Sequence, residues 1–305
     1  AVQRQATHTF EGSSIQDMAT CLRDLFRERS VFGAATSDLQ VRREAWLSSY
    51  REFLTDEPRI SLEGVGLGAW YLKWPDWFQV PEILRNSPWS LSDQEIHDTI
   101  LILLDSMRTG RAVELRGDNG VTLNWGDLGL QARQQRFRIG TPRRQIGVSS
   151  WDGNRTRRVL FMTKLLMRME PGLNEQEAVD YAVQAVRAVW EAIRECDGRA
   201  SVICDQLLIP VKDARRLNPC WWRFRVLADP DQIFQCDTCG RVQAVCVRGL
   251  CPRHRCLGSL KEIRRQELDL NHYRLLYEAE LPGSLRVEEH TAQLDKAKAR
   301  EFQRE

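Results

Sequence analysis

Hydrophobic residues recur at helical spacing through the first hundred positions. Ser14-x-x-Asp17 predicts a helix start with Ile15, Met18, Cys21, Leu22, Leu25 and Phe26 on one face. Ser37-x-x-Gln40 predicts a second helix with Val41, Trp46, Leu47, Tyr50, Phe53 and Leu54 inward, ended by Pro58. Gly64, Gly66 and Gly68 then read as a flexible connector. Their spacing is not a nucleotide fingerprint, because no apolar strand precedes it and no GK[ST] follows. Residues 70–78 carry Trp70, Tyr71, Trp74, Trp77 and Phe78. Such density suits stacking on unpaired bases, but it reads first as an irregular segment anchored to a core.

Ser92-x-x-Glu95 opens a helix with Ile96, Ile100, Leu101, Leu103, Leu104 and Met107 buried, stopped by Gly110. Val113 and Leu115 then alternate against Val121, Leu123 and Trp125, with turn residues at 116–120 between them. A capped helix leading into a hairpin predicts the back half of a winged-helix unit. Asn174-x-x-Glu177 opens a largely buried helix closed by Gly198, residues 207–211 and 222–226 read as strands, and 261–280 reads as a charged helix.

The chain has 305 residues, 28% charged and 42% hydrophobic, which excludes a disordered or fibrous chain. No apolar run approaches the roughly 18 residues of a membrane span, so no membrane is expected and the cytoplasm is. The opening Ala1-Val2-Gln3-Arg4 is neither a Met start nor a signal peptide and predicts a piece cut from a larger protein. Net charge is +2, so any nucleic-acid footprint must be local. The most one-sided stretch holds Arg133, Arg136, Arg138, Arg143, Arg144, Arg155, Arg157 and Arg158 against one acid, Asp152. The planar guanidinium fork suits phosphate oxygens, which makes these arginines, with Arg116 at the expected hairpin tip, the candidate nucleic-acid contacts. The alternative is a solvated basic loop, or a partner for acidic helices within the fold.

Nine cysteines, an odd number in a chain of this size, favour a reducing compartment and a metal over disulfides. Five crowd between Cys236 and Cys256. Cys236-x-x-Cys239 places two thiolates on one tight turn, with Gly240 free to take positive φ, and Cys251 and Cys256 make the best returning pair. Cys246 and His254 are spare candidates. Four protein ligands leave no open position, so a structural Zn2+ is expected. No G-x-S-x-G, H-E-x-x-H or Walker A lysine is present, so no chemistry by this chain alone is expected.

Near the C-terminus, Leu285-Arg-Val287-Glu-Glu-His290-Thr291-Ala292-Gln293-Leu294-Asp295 is followed by Lys296-Ala-Lys-Ala-Arg300-Glu-Phe302. This resembles the stretch just before motif V in the second RecA-like domain of superfamily-2 DEAD/DEAH-type helicases. The four-cysteine module upstream resembles that of large bacterial members associated with DNA repair and phage defence. The similarity covers about 70 residues, from roughly Phe234 onward. It implies a non-catalytic, nucleic-acid-gripping portion of an ATP-dependent DNA helicase, with His290 and Thr291 near the tracked strand. It also implies partners: single-stranded or forked DNA, the remainder of the motor, and a possible protein of a defence complex. The P-loop lysine, DEAD/DEAH box and arginine finger are absent from these 305 residues. ATP and Mg2+ would therefore be held by the suspected parent. Two rival readings are a zinc-stabilised adaptor for a protein partner and a motor-free DNA-binding regulator. The expected architecture is α+β and multi-module: a helical region at 1–90, a winged-helix-like unit with a basic loop at 91–160, and a connector at 161–230. A zinc module at 231–260 and a truncated α/β, second RecA-like piece at 261–305 complete it.

Overall fold

The computed structural model describes residues 10–57, 59, 61–118, 120–130, 133–141, 145–194, 205–228, 230–268 and 271–279. Arg143, Arg144, His290, Thr291 and the helicase-like stretch at 285–302 lie outside them. The described chain is α+β. Its helices are α1 (Ile15–Glu28), α2 (Asp38–Leu54), α3 (Glu82–Arg85), α4 (Asp93–Arg108), α5 (Arg157–Met169), α6 (Glu175–Arg194) and α7 (His272–Ala279). Its strands are β1 (Gly68–Leu72), β2 (Arg136–Arg138), β3 (Val148–Ser150), β4 (Leu208–Val211), β5 (Ala214–Leu217), β6 (Trp222–Val226), β7 (Ile233–Cys236), β8 (Val242–Gln243) and β9 (Leu260–Ile263). Among the described residues no helix is long and apolar enough to cross a membrane.

The helix starts follow from local chemistry. At Ser14, Ser37 and Ser92 the hydroxyl accepts the N3 amide while the N3 side chain accepts the cap amide, as the spacing predicts. Asn174 Oδ1 accepts from Glu177 N at 2.8 Å in the same way. Apolar faces then pack inward, and buried residues from Phe10 to Leu250 form one contiguous core. The regions expected at 1–90, 91–160 and 161–230 share that core. A separate small cluster surrounds Cys236, Cys251, Cys256 and Leu260.

The glycines at 64–68 are packed into this interior rather than forming a flexible connector. Gly68 begins β1, which pairs antiparallel with β6, and a Cβ there would lie 2.0 Å from Phe224 Cζ. Only a glycine lets the two strands approach over that ring. The aromatic segment behaves as core: Trp70 is buried, and Trp74, Trp77 and Phe78 pack against the main cluster half-buried.

Two expectations are corrected. No hairpin forms from 113–115 and 121–125. Val113 bridges Leu217 of β5, with Glu114 N donating to Leu217 O at 3.0 Å and Leu217 N to Ala112 O at 2.7 Å. The supposed second strand runs into a 3-10 turn, Trp125–Leu128. The tip is anchored, because Asp118 accepts from Arg42 and Trp46 at 3.0 Å each and Tyr50 Oη accepts from Arg116 N at 2.9 Å. A β-hairpin does form, from β4 and β5 around Lys212 and Asp213, and β5 joins β2 and β3 in a four-stranded sheet of order β3-β2-β5-β4. The second correction concerns 261–280. Its first residues form β9, antiparallel to β7, and among the described residues of that stretch His272–Ala279 alone is α-helical.

A buried ionic node ties these parts together. Arg108, 1% exposed, pairs with Asp105 and Glu63 and donates to Phe53 O at 2.6 Å. Arg157 reaches Asp105 at 3.5 Å, and Arg241 reaches Asp56 at 2.6 Å and Asp105 at 3.7 Å. Burial raises the Asp105 pKa, but Arg108, Arg157 and Arg241 outweigh it and hold the carboxyl below its ordinary range. Glu52 beside the node is pushed up to about 8 by burial, with Glu63 adding to the rise, although its carboxylate accepts from Leu62 N at 2.8 Å.

Asp105→Asn should cost about 3–5 kcal/mol, the usual penalty for stranding charge in a buried ion network, in denaturant melts at neutral pH. A loss below about 1 kcal/mol would mean that the arginines find other partners. Glu52→Gln tests pH linkage. A carboxyl whose folded pKa is raised above its unfolded value loses stability as pH climbs from the unfolded pKa toward about 8. The Tm advantage of Glu52→Gln over wild type should therefore widen between pH 5 and 8; a gap that stays constant with pH would refute the shift.

Candidate metal centre

Strand β7 ends on Cys236, and the chain turns back at once through Cys239 and Gly240. Gly240 takes φ +68°, the conformation anticipated for it, and its amide donates to Cys236 O at 3.0 Å. Cys251 and Cys256 return from the loop that precedes β9. The Sγ atoms of Cys236, Cys239, Cys251 and Cys256 all lie within 4.8 Å of one another. Cys236 to Cys256 and Cys239 to Cys251 are each 3.7 Å apart. The four therefore lie close enough to bind one metal ion. Four sulfurs in a tetrahedron about 2.3 Å from a central ion would stand about 3.8 Å apart; these two pairs match that spacing, and the remaining pairs lie within 4.8 Å.

Backbone amides converge on the sulfurs. The amide of Arg241 donates to Cys239, that of Arg253 to Cys251, and that of Gly258 to Cys256 at 3.4 Å. Each comes from the residue two places after its cysteine, and at these three sulfurs the amide works toward thiolate against the effect of burial. Burial raises the Cys239 thiol, yet the Arg241 amide and the neighbouring thiols bring it down to about 7 overall. Burial pushes the Cys251 and Cys256 thiols up. Four thiolates at this separation repel one another strongly without a cation between them. Gly258 is required by proximity, since a Cβ there would lie 2.6 Å from Cys236 Sγ and 2.6 Å from Thr238 Oγ1.

The spare candidates fall elsewhere. Among the described residues, neither Cys246 nor His254 joins the four. Cys246 lines a surface groove with His97, Asp98 and Arg225. His254 is exposed on the loop between Cys251 and Cys256, where burial, Arg255, Arg157 and Lys164 lower its pKa.

Helix α5 carries the module. Arg157 Nε donates to Pro252 O at 3.0 Å, and Lys164 Nζ donates to Cys256 O at 2.8 Å and Cys251 O at 3.4 Å. Arg168 reaches Ser259 Oγ at 3.4 Å. These supporting residues were missed as such. Their signal was present in the sequence, because positions 157, 164 and 168 recur on one helical face. A divalent ion with four thiolates carries two net negative charges, which this basic face offsets.

The arginine run divides. Arg157 and Arg158 turn inward, a correction to their expected role on phosphate. Arg158, 4% exposed, donates to Trp151 O and Ser150 O at 2.9 Å each and to Ser106 Oγ at 2.8 Å, and stacks over Phe137 and Trp151. Its donors are committed within the protein. Arg116 hangs on the anchored tip and reaches Cys220 Sγ at 3.7 Å. Arg133 and Arg155 are exposed, and Arg136 and Arg138 lie half-buried on β2. Arg138 pairs with Asp213 at the β4–β5 turn and lines a cleft with Arg194, Lys212 and Arg215, opposed by Glu191 and Asp213. Sequence reasoning missed Arg194, Lys212 and Arg215, which lie far along the chain from the basic run. Comparison with protein-family models, with curated proteins and with solved structures finds no match.

Replacing Cys236 or Cys239 by Ser should abolish stoichiometric metal and lower the melting temperature, because ligation and local folding are coupled. Cys246→Ser should leave both unchanged. Elemental analysis of the purified variants with parallel melts decides it; full metal content in Cys239→Ser would rule out this ligand set.

Proposed function

We propose that this chain is a nucleic-acid-gripping, non-catalytic scaffold braced by a structural zinc ion, serving an ATP-dependent DNA helicase of the kind its C-terminal sequence resembles. The observation that carries the reading is the cleft beside the β4–β5 hairpin. There Arg138, Arg194, Lys212 and Arg215 face two acids, an excess of positive charge on a chain that is nearly neutral overall. The hairpin takes the role expected of a wing, with Lys212 exposed at its tip. Phosphate contacts of this type fix position and carry no base information.

Zinc fits the metal centre better than other ions. Four sulfurs form a soft donor set, the tetrahedral spacing suits zinc, and no ligand position is left for water or substrate. The residues present would hold it as a brace. When bound, it supplies a fixed cross-link between β7 and the loop before β9. ATP and Mg2+ belong to the parent motor, since this chain carries no P-loop lysine. The adaptor reading loses its best surface, because the Trp-rich segment at 70–78 is mostly committed to the core.

Two measurements test the proposal. Elemental analysis should return about one zinc per chain; iron in its place would reassign the centre. Duplex affinity should fall steeply with salt, by a slope of about −0.9 per contacted phosphate. Lys212→Gln and Arg194→Gln, both at exposed positions, should each weaken binding evenly across sequences and reduce that slope by about one. Absence of binding at low salt would overturn the reading.

A further inference from the structure

We infer that the loop between the third and fourth metal ligands is a second nucleic-acid contact, one that grips single strands at an unpaired base. This rests on the nucleic-acid reading above and adds to it a distinct surface and a substrate form.

The loop is short and clamped at both ends by Cys251 and Cys256. Its interior side is fixed, because Pro252 is buried and its carbonyl accepts from Arg157, while Lys164 holds the carbonyls of both cysteines. Everything else points outward. Arg253, His254 and Arg255 are exposed, and Arg255 takes φ +60°, which turns the chain back sharply toward Cys256. Neither Arg253 nor Arg255 has an ion-pair partner among the described residues, whereas Arg138, Arg194, Arg241 and Arg248 each face a carboxylate. Lys164 and Arg168 on α5 reach the inner side of the loop, and the nearest carboxylate, Asp237, is engaged by the Ser259 amide and Lys261.

Directly after this basic loop stands Leu257, 87% exposed, the most exposed of the large apolar side chains among the described residues. Gly258 follows, packed against Cys236, so the leucine is carried on a backbone held by the metal turn. Leu257 lies just past the fourth ligand, Cys256, and two residues after Arg255, so its aliphatic side chain stands in water beside the basic loop. A ligand that is anionic along one edge and apolar on another would cover both features. Single-stranded nucleic acid has that chemistry, with phosphates for Arg253 and Arg255 and the open face of a base for Leu257. Intact duplex presents its phosphates but keeps its base faces stacked away.

The test uses the full chain, loaded with metal, and fluorescence anisotropy with a labelled oligothymidylate and a labelled duplex. Metal content and melting temperature serve as fold controls. Arg253→Ala/Arg255→Ala should weaken oligothymidylate binding about tenfold or more at low salt. It should also flatten the salt slope by about 1.4, which is two contacts at about 0.7 each on single strands. Leu257→Ser should weaken the single strand and leave the duplex unchanged. If both loop variants bind like wild type while Lys212→Gln and Arg194→Gln do not, this inference falls and the scaffold reading stands. An equal loss of both substrates in Leu257→Ser also overturns it. If the wild-type chain binds neither probe, or binds polyglutamate in their place, both proposals fall together.

Discussion

Asp105 is the point on which the described structure turns. Its carboxylate faces guanidinium groups from three separate parts of the chain: Arg108 on its own helix, Arg157 at the start of α5, and Arg241 beside the metal ligands. Each arginine also binds something else, namely Phe53 O, Pro252 O and Asp56 in turn. One half-buried charge thereby registers α2, α4, α5 and the cysteine module against one another. Hydrophobic burial supplies most of the stability of such a core, but it is non-directional. A charged hydrogen-bond node fixes which apolar faces meet, because any misalignment strands a charge away from water.

The four-cysteine cluster is an extension of this node. Arg241 follows Cys239 by two residues, its amide donates to that sulfur and its guanidinium spans Asp56 and Asp105. From the opposite side, α5 holds the loop through Arg157 and Lys164. The ligand turns are thus gripped by the core on two sides, and the chemistry left over for the outside is concentrated in one short basic loop and one hairpin cleft. Both lie where secondary structure is fixed by neighbours.

Signals that act within one turn were legible in the sequence. The three serine caps, the strand at 222–226 and the thiolate turn with its left-handed glycine all rest on chemistry spanning a few residues. What required the fold was the identity of distant partners. Nothing near Arg157 or Arg158 in sequence reveals that Asp105, Pro252 and two aromatic rings will enclose them. The apparent hairpin at 113–125 failed for the same reason, since β5 claimed the backbone groups of 112–114 and Arg42, Trp46 and Tyr50 claimed its tip. The stretch after 260 carries helical charge spacing, yet pairing with β7 overrides propensity at β9. The basic cleft was invisible for a related reason, being assembled from β2, α6 and the β4–β5 turn.

The pairing of β1 with β6 has a bearing on how the protein is made. Gly68–Leu72 leaves the ribosome long before Trp222–Val226 exists, and Glu11, which accepts from Val226 N at 2.6 Å, waits longer still. Throughout that interval the nascent chain offers an apolar strand edge bearing Trp70 and Leu72, with no native mate to cover it. A chain cut short before residue 226 would keep that edge bare, since the strand that covers it lies 150 or more residues downstream.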